Sequence, residues 1–526
     1  MAMDTPTTAS GSLAAVQPPR RWPPAPGRLD RLGVVLLTAL AAAGYSVYCL
    51  ARFYTFHYGA YDLVIFDQAV RSYAHFHPGI SIIKGVHNGF GPHFSVLGDH
   101  WSPIIASLAP LYWLYNGPQT LLVAQSVLFA LAIPPLWVYT RRAFGGGPQA
   151  TAAAYLVAAA YGVSWPIAEA SRAGFHEVAF APVLTAVALE RLQAGRLRTA
   201  LLALAGLLLV KEDMGLLVAG IGAALMVSRS PTVPRQRLAG AGLIVAGLAG
   251  TALATYVLIP AMGGRSDYYW AYGELGSNGL QALAHLLTHP VSSLRLLVTP
   301  RVKLDTMLWL FGAFCFLPLL SPLSLATVPL LAERMLGAKF PNWWNTHYQY
   351  NAYLVIILAC AAVDGAARVS RWSARAAATT GADREHRPRA SRYAALVCAG
   401  AICAVALALV PGFPFWGVVH PSFYQRDPRM TAAAAAVRAV PAGVTVEAAG
   451  SVGPQLSARD TVLLWDGEHP PRWSSWVVAD TGQREFTFAS LRAQQQRVAF
   501  LRQHGYRITF DQRGYLVLHR NGGQPG

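Results

Sequence analysis

Apolar runs of membrane-spanning length alternate with short polar breaks along most of this chain. Runs near 32–50, 119–139, 150–166, 177–190, 199–210, 214–228, 239–260, 306–320, 323–336, 351–367 and 393–410 predict about eleven transmembrane helices, because a bilayer core about 30 Å thick asks for roughly 20 apolar residues per crossing. Residues 103–116 are apolar but short and are punctuated by Pro103, Pro110 and Pro118. That segment is expected to lie in the interface or re-enter rather than cross. From about residue 411 the pattern changes. Short alternating segments predict a helix at 428–440, strands at 443–448, 461–465 and 475–479, a helix at 486–503, and a closing hairpin, YRITF and YLVLH, around an Asp-Gln-Arg-Gly turn. Strand and helix alternation over some 110 residues makes a layered α/β domain large enough to bury its own core.

Charge orients these elements. Arginines collect in alternate breaks: Arg20 to Arg31, Arg141 and Arg142, Arg191 to Arg198, Arg229 to Arg237, and seven from Arg368 to Arg392. The positive-inside rule puts these breaks in the cytoplasm. The first loop and the C-terminal domain then face outward. All four lysines, Lys84, Lys211, Lys303 and Lys339, fall in the outward breaks, and so do most ionisable clusters. The expected organisation is a disordered cytoplasmic tail over 1–30, a transmembrane domain over 31–412 with a large first outer loop at 52–103, and an extracytoplasmic α/β domain over 413–526. The tail lacks the apolar core of a cleaved signal peptide.

Composition narrows the class. With 54% hydrophobic and 13% charged residues the chain is too apolar for a soluble protein. Its net charge of +17 sits in loop arginines, so nucleic acid is not an expected partner; the membrane is. All five cysteines lie inside apolar runs and are read as packing residues. No Walker motif, HExxH, CxxC pair or GxSxG is present, and Gly450 and Gly453 alone read as a turn.

Candidate chemistry gathers on the outer side, where ionisable groups at the membrane edge are costly to keep without a purpose. Asp62 and Asp67 lie five apart on a helical stretch and cannot both face one ligand. Each is a candidate general base or cation ligand, or a surface charge or helix cap. His93, Asp99 and His100 precede a Ser-Pro helix start, where capping is the plain alternative. His176 and Glu177 open a further span, and Lys211, Glu212 and Asp213 sit in a tight turn between two apolar runs, with the lysine able to hold a phosphate. Arg334 and His347 border a second aromatic segment, FPNWWNTHYQY, and YYWAY at 268–272 reads as an interfacial aromatic belt. No metal ligand set is fixed by spacing; a divalent cation among the acids is the candidate cofactor.

YDLVIFDQAV, GDHWSPIIASLAPLYWLY, FHEVAFAP and VKEDMGL resemble the bacterial multi-pass membrane proteins grouped as domain of unknown function 2079, over most of the chain from about residue 35. That family is similar in layout to GT-C glycosyltransferases. The resemblance implies a plasma-membrane enzyme with an acidic catalytic residue in a long first outer loop, here Asp62. It would take a sugar from a polyprenyl-phosphate lipid, with Asp62 or Asp67 taking the proton of an extracytoplasmic acceptor hydroxyl, and His93, Asp99, His100, His176, Glu177, Lys211, Glu212, Asp213, Arg334 and His347 would bind substrate. The paired acidic dipeptide usual in those enzymes is absent from this loop. A lipid or polysaccharide transporter or flippase is the competing class, although no internal repeat marks one; a non-catalytic cell-envelope assembly protein is the third.

Overall fold

The computed structural model describes residues 25–228, 233, 235–379, 386–467 and 469–521. Most of the expected N-terminal tail, Arg229, and the side chains of Arg384, Arg387, Arg389 and Arg392 lie outside the described residues. Six helices among them are long and apolar enough to cross a membrane: Arg28–Tyr54, Pro118–Ala143, Pro148–Ala173, Gln236–Ala261, Gln349–Ala376 and Tyr393–Gly412. Of the eleven expected spans, these six have the length and apolarity of a crossing, and the full count of eleven is not supported. The other five runs form shorter or broken helices, such as Leu197–Leu207, Met214–Val227, and Arg301–Gly312 followed by a separate turn at Leu317–Leu320. At 1.5 Å per residue a helix of 11 to 14 residues reaches only about 16–21 Å, because charged turns and prolines stop it early. Residues 103–116 hold no helix of that length; Pro103–Tyr112 is a short apolar helix of mixed 3-10 and α character.

Burial follows the apolar pattern around each helix. The helix at Gln349–Ala376 is buried without interruption from Ala352 to Val363, as expected for a helix apolar on all sides and packed centrally. Arg28–Tyr54 instead leaves Leu32, Val35, Leu36 and Leu40 exposed, the face that would meet lipid. The bundle has two polar ends. At one, Tyr155 donates to the Asp30 carbonyl, Tyr139 to Asp364, and Arg142 pairs with Glu190 at 2.7 Å. At the other end lie the first loop and the C-terminal domain.

That loop is built of short helices. After α1 (Arg28–Tyr54), α2 runs Ala60–Ala74 and α3 runs Ile82–His87. Residues 63–70 of α2 are buried on every side, because the helix is clamped between the bundle and the α/β domain. The domain's sheet has the order β2-β1-β3-β5-β4, with β1 Thr445–Ala448, β2 Thr461–Leu464, β3 Trp476–Asp480, β4 Arg507–Gln512 and β5 Tyr515–His519. β1 pairs in parallel with β2 and β3, and β5 pairs antiparallel with β3 and β4. Central strands are near-continuous apolar runs because both faces are covered. The turn between β4 and β5 puts Arg513 at φ 49° and Gly514 at φ 89°, the two positive φ angles that a tight two-residue hairpin requires.

Edge strand β2 is covered by the first loop. Gln68 Nε2 donates to the Val462 carbonyl at 2.9 Å while Gln68 Oε1 accepts the Ile83 amide at 2.9 Å, so one side chain ties α2, α3 and the sheet edge together. The Ala60 amide donates to the Gly450 carbonyl, and Gln455 donates to the Phe53 carbonyl at 2.7 Å. Contact is tightest at Gly453, where an added Cβ would lie 2.6 Å from the Ala60 Cβ. Gly453→Ala should loosen this seam, at a cost of about 1–3 kcal/mol for overpacking. Limited proteolysis should then release the α/β domain faster than in the parent protein, and an unchanged cleavage rate would show that the seam is not tightly packed.

Candidate functional site

The first turn of α2 carries Asp62, where an acidic side chain suits the helix dipole. Its side chain is 58% exposed, with His176 Nε2 at 3.9 Å from Oδ2. His176 reaches it because the helix Trp165–Ala173 stops at Gly174, whose φ of 97° turns the chain back. Gln125 then accepts the His176 amide at 3.1 Å. Glu177, next in sequence and buried, has Oε1 3.9 Å from Lys211 Nζ, and Lys211 is 3.6 Å from Asp213. Glu212 faces the other way, accepting from His100 Nδ1 at 2.7 Å and from the Trp101 amide at 3.1 Å. Asp99, beside His100, pairs with Lys84 at 2.9 Å, and Lys84 donates to the Tyr61 hydroxyl at 3.3 Å. Tyr61 precedes Asp62. Contacts and chain neighbours thus close a ring through Asp62, His176, Glu177, Lys211, Glu212, His100, Asp99, Lys84 and Tyr61.

Electrostatics within the ring follow from burial and pairing. Burial pushes the Lys211 pKa down, but Asp213, Glu177 and Glu212 outweigh it and hold its pKa well above the usual lysine value. Burial likewise raises Glu212, yet the His100 charge, their hydrogen bond and Lys211 bring it down to about 2, while His100 is raised in return. Asp213 is pushed up to about 6, by burial first and by Glu212, with Lys211 pulling against both. Two buried acceptor atoms, Glu177 Oε2 and Asp213 Oδ1, have no hydrogen-bond partner among the described residues.

Other candidates stand apart from the ring. Asp67 is fully buried; Arg71 pairs with it at 2.7 Å, Tyr112 donates at 2.8 Å, and Ser457 of the α/β domain donates as well. Burial raises its pKa against the pull of Arg71, and its partners leave no face for a ligand. His93 is exposed and outside the ring. Arg334 is buried, with its donors given to the Trp343 and Tyr350 carbonyls and to Asn351 Oδ1, so it holds the aromatic segment 343–351 in place. His347 joins the Glu169–Arg172 pair, 2.6 Å from Arg172 Nη2 and 3.4 Å from Glu169.

Several residues emerge only from the structure. YYWAY is not a plain belt: Tyr269 donates to Asp99 at 2.7 Å and stacks on His100 at 4.7 Å, and Tyr268 accepts from Asn88 at 2.7 Å. Lys84 lies over the Tyr61, Tyr268 and Tyr269 rings at 5.3–5.9 Å, so cation–π attraction adds to its ion pair. The run of tyrosines was the available signal. A further group, His87, Asp466 and His469, brings one ligand atom from each residue within 4.8 Å of the others and could hold a metal ion. It joins the first loop to the α/β domain across nearly four hundred residues, which no sequence spacing indicates.

The fold and site define a polytopic α-helical membrane protein whose C-terminal mixed-sheet domain is docked over a charged first loop. The chain belongs to the family of predicted membrane proteins DUF2079, whose model matches residues 52–517. No curated protein matches it. Among solved structures it is similar to ArnT from Cupriavidus metallidurans bound to undecaprenyl phosphate, with 12% identity, 92% of this chain and 97% of that chain covered, and a TM-score of 0.49.

Titration of the ring gives a stability prediction. Because the pKa of His100 is raised in the folded state, its contribution is fully present below the ordinary imidazole value and is lost as pH rises through the raised one. The unfolding temperature of the detergent-solubilised protein should fall as pH rises from the ordinary imidazole value through the raised one, and His100→Gln should remove this fall. An unchanged slope in the variant would take His100 out of the linkage.

Proposed function

We propose that the protein is a GT-C-type membrane glycosyltransferase that moves a sugar from a polyprenyl-phosphate donor to an extracytoplasmic acceptor. The observation that carries this reading is the ring of acid, imidazole and ammonium groups around exposed Asp62, assembled from separate helices at one end of an apolar bundle. Scattered surface charges have no reason to converge in this way. The arginines at the opposite end favour placing the ring and the α/β domain outside the cytoplasm, where lipid-linked sugars rather than sugar nucleotides are the accessible donors.

In this scheme Asp62 accepts the proton of the acceptor hydroxyl as its oxygen bonds to the anomeric carbon. The anomeric carbon–oxygen bond breaks with its electron pair going to the departing polyprenyl phosphate. His176, 3.9 Å away, orients the Asp62 carboxylate. Lys211 retains its charge and answers the negative charge that grows on the phosphate. The free acceptor atoms of Glu177 and Asp213 suit sugar hydroxyls. Clefts between the apolar helices would receive the lipid tail. A divalent cation among these acids would assist the leaving group, but no step here depends on one.

Asp62→Asn should reduce sugar transfer in reconstituted membranes to background while the protein stays folded, since the exposed side chain keeps its shape and loses its basicity. Lys211→Ala should raise the donor concentration needed for half-maximal rate. Asp67→Asn should act mainly on stability, by up to about 3 kcal/mol, because it breaks a buried ion pair. The measurement is glycosyl transfer from a panel of polyprenyl-linked sugars. Full activity in Asp62→Asn would remove that residue from the chemistry, and lipid movement without transfer by the parent protein would favour a transporter.

A further inference from the structure

We infer that His87, Asp466 and His469 form a site for a divalent transition-metal ion of the zinc class, and that the ion staples the first loop to the α/β domain. This inference rests on geometry outside the ring and is independent of the glycosyltransferase reading. Each residue reaches the point for a local reason. His87 is the last residue of α3, Asp466 follows the end of β2 by two residues, and His469 comes three residues after Asp466. His87 Nδ1 and His469 Nδ1 stand 3.0 Å and 3.2 Å from the same Asp466 oxygen. Two ligands on bonds of about 2.1 Å at a tetrahedral angle are about 3.4 Å apart, within a few tenths of an ångström of both imidazole-to-carboxylate distances, and one ligand atom from each of the three residues lies within 4.8 Å of the others. Two imidazoles and one carboxylate are a donor set suited to Zn²⁺ rather than to Ca²⁺ or Mg²⁺, which prefer oxygen.

The surroundings support ligation. Arg472 donates to Asp466 Oδ2 at 2.7 Å and to the Leu464 carbonyl at 2.7 Å. The His469 amide donates to Asp466 Oδ1 at 3.2 Å, and Arg497 anchors the His469 carbonyl at 2.6 Å. These are the outer hydrogen bonds that orient metal-binding carboxylates. The His469 side chain is 40% exposed, which leaves a path for the ion and a position for water. An ion here would also fix Tyr61, whose ring packs edge-on against His87 at 5.2 Å, and through it the start of α2. The alternative is a metal-free cluster in which Arg472 is the only cation held by Asp466.

The full-length protein, purified with a tag that contains no histidine, stripped with chelator and placed in nanodiscs, would be titrated with Co²⁺ and with Zn²⁺. We expect saturable uptake of one Co²⁺ with the intense visible absorption of a four-coordinate site, displaced by Zn²⁺. His87→Ala and His469→Ala should each weaken binding by at least about tenfold, a loss seen even for groups that only support a ligand. Zn²⁺ should slow proteolytic release of the α/β domain in the parent protein but not in His469→Ala, a change at a partly exposed side chain that leaves the core untouched. Absence of saturable uptake, or equal affinity in the parent and in both variants, would overturn the site. Uptake without any effect on proteolysis would overturn its role as a staple.

Discussion

A charged group withdrawn from water must be paired, and at one end of this bundle that requirement shapes the chain. Lys84, Asp99, Glu177 and Lys211 are too buried to stand alone, and each finds its partner on a different element. Successive pairs connect the first loop, the His176 bend and the Lys211 turn into a closed circuit. Asp62 is the member left open to solvent. A shift of any one element would strand a charge on its neighbour, which favours a fixed arrangement around the open carboxylate.

α2 links this circuit to the α/β domain. One side of the helix starts the ring; the rest is buried under the sheet edge, with Asp67 held by Arg71, Tyr112 and Ser457 and Gln68 bridging α3 to β2. The C-terminal domain is therefore a structural wall of the site rather than a tethered module. Its loops at Gly450, Asp466 and Phe486 all touch the 60–88 region. Two acidic residues five positions apart therefore have opposite fates: Asp62 is exposed, and Asp67 fastens the wall.

What the linear chain determined by itself was periodicity and charge. The six long helices, the short 103–112 segment, all five strands and the β4–β5 turn could be read in advance, because hydrophobic period and turn chemistry are local properties. The arginine clusters and the grouping of ionisable residues in alternate breaks were equally visible, as were Asp62, Asp99, His100, His176, Glu177 and Lys211 to Asp213 as residues worth attention. Tertiary structure decided which charges meet. It gave Arg334 to backbone carbonyls, left His93 exposed, set Tyr269 against Asp99 and His100, drew Lys84 into the ring, and joined His87 to Asp466. It also shortened five of the eleven expected spans, since helix length depends on where turns and packing interrupt an apolar run. Pairing energies act over a few ångströms between residues hundreds of positions apart, and only the folded path of the chain sets those distances.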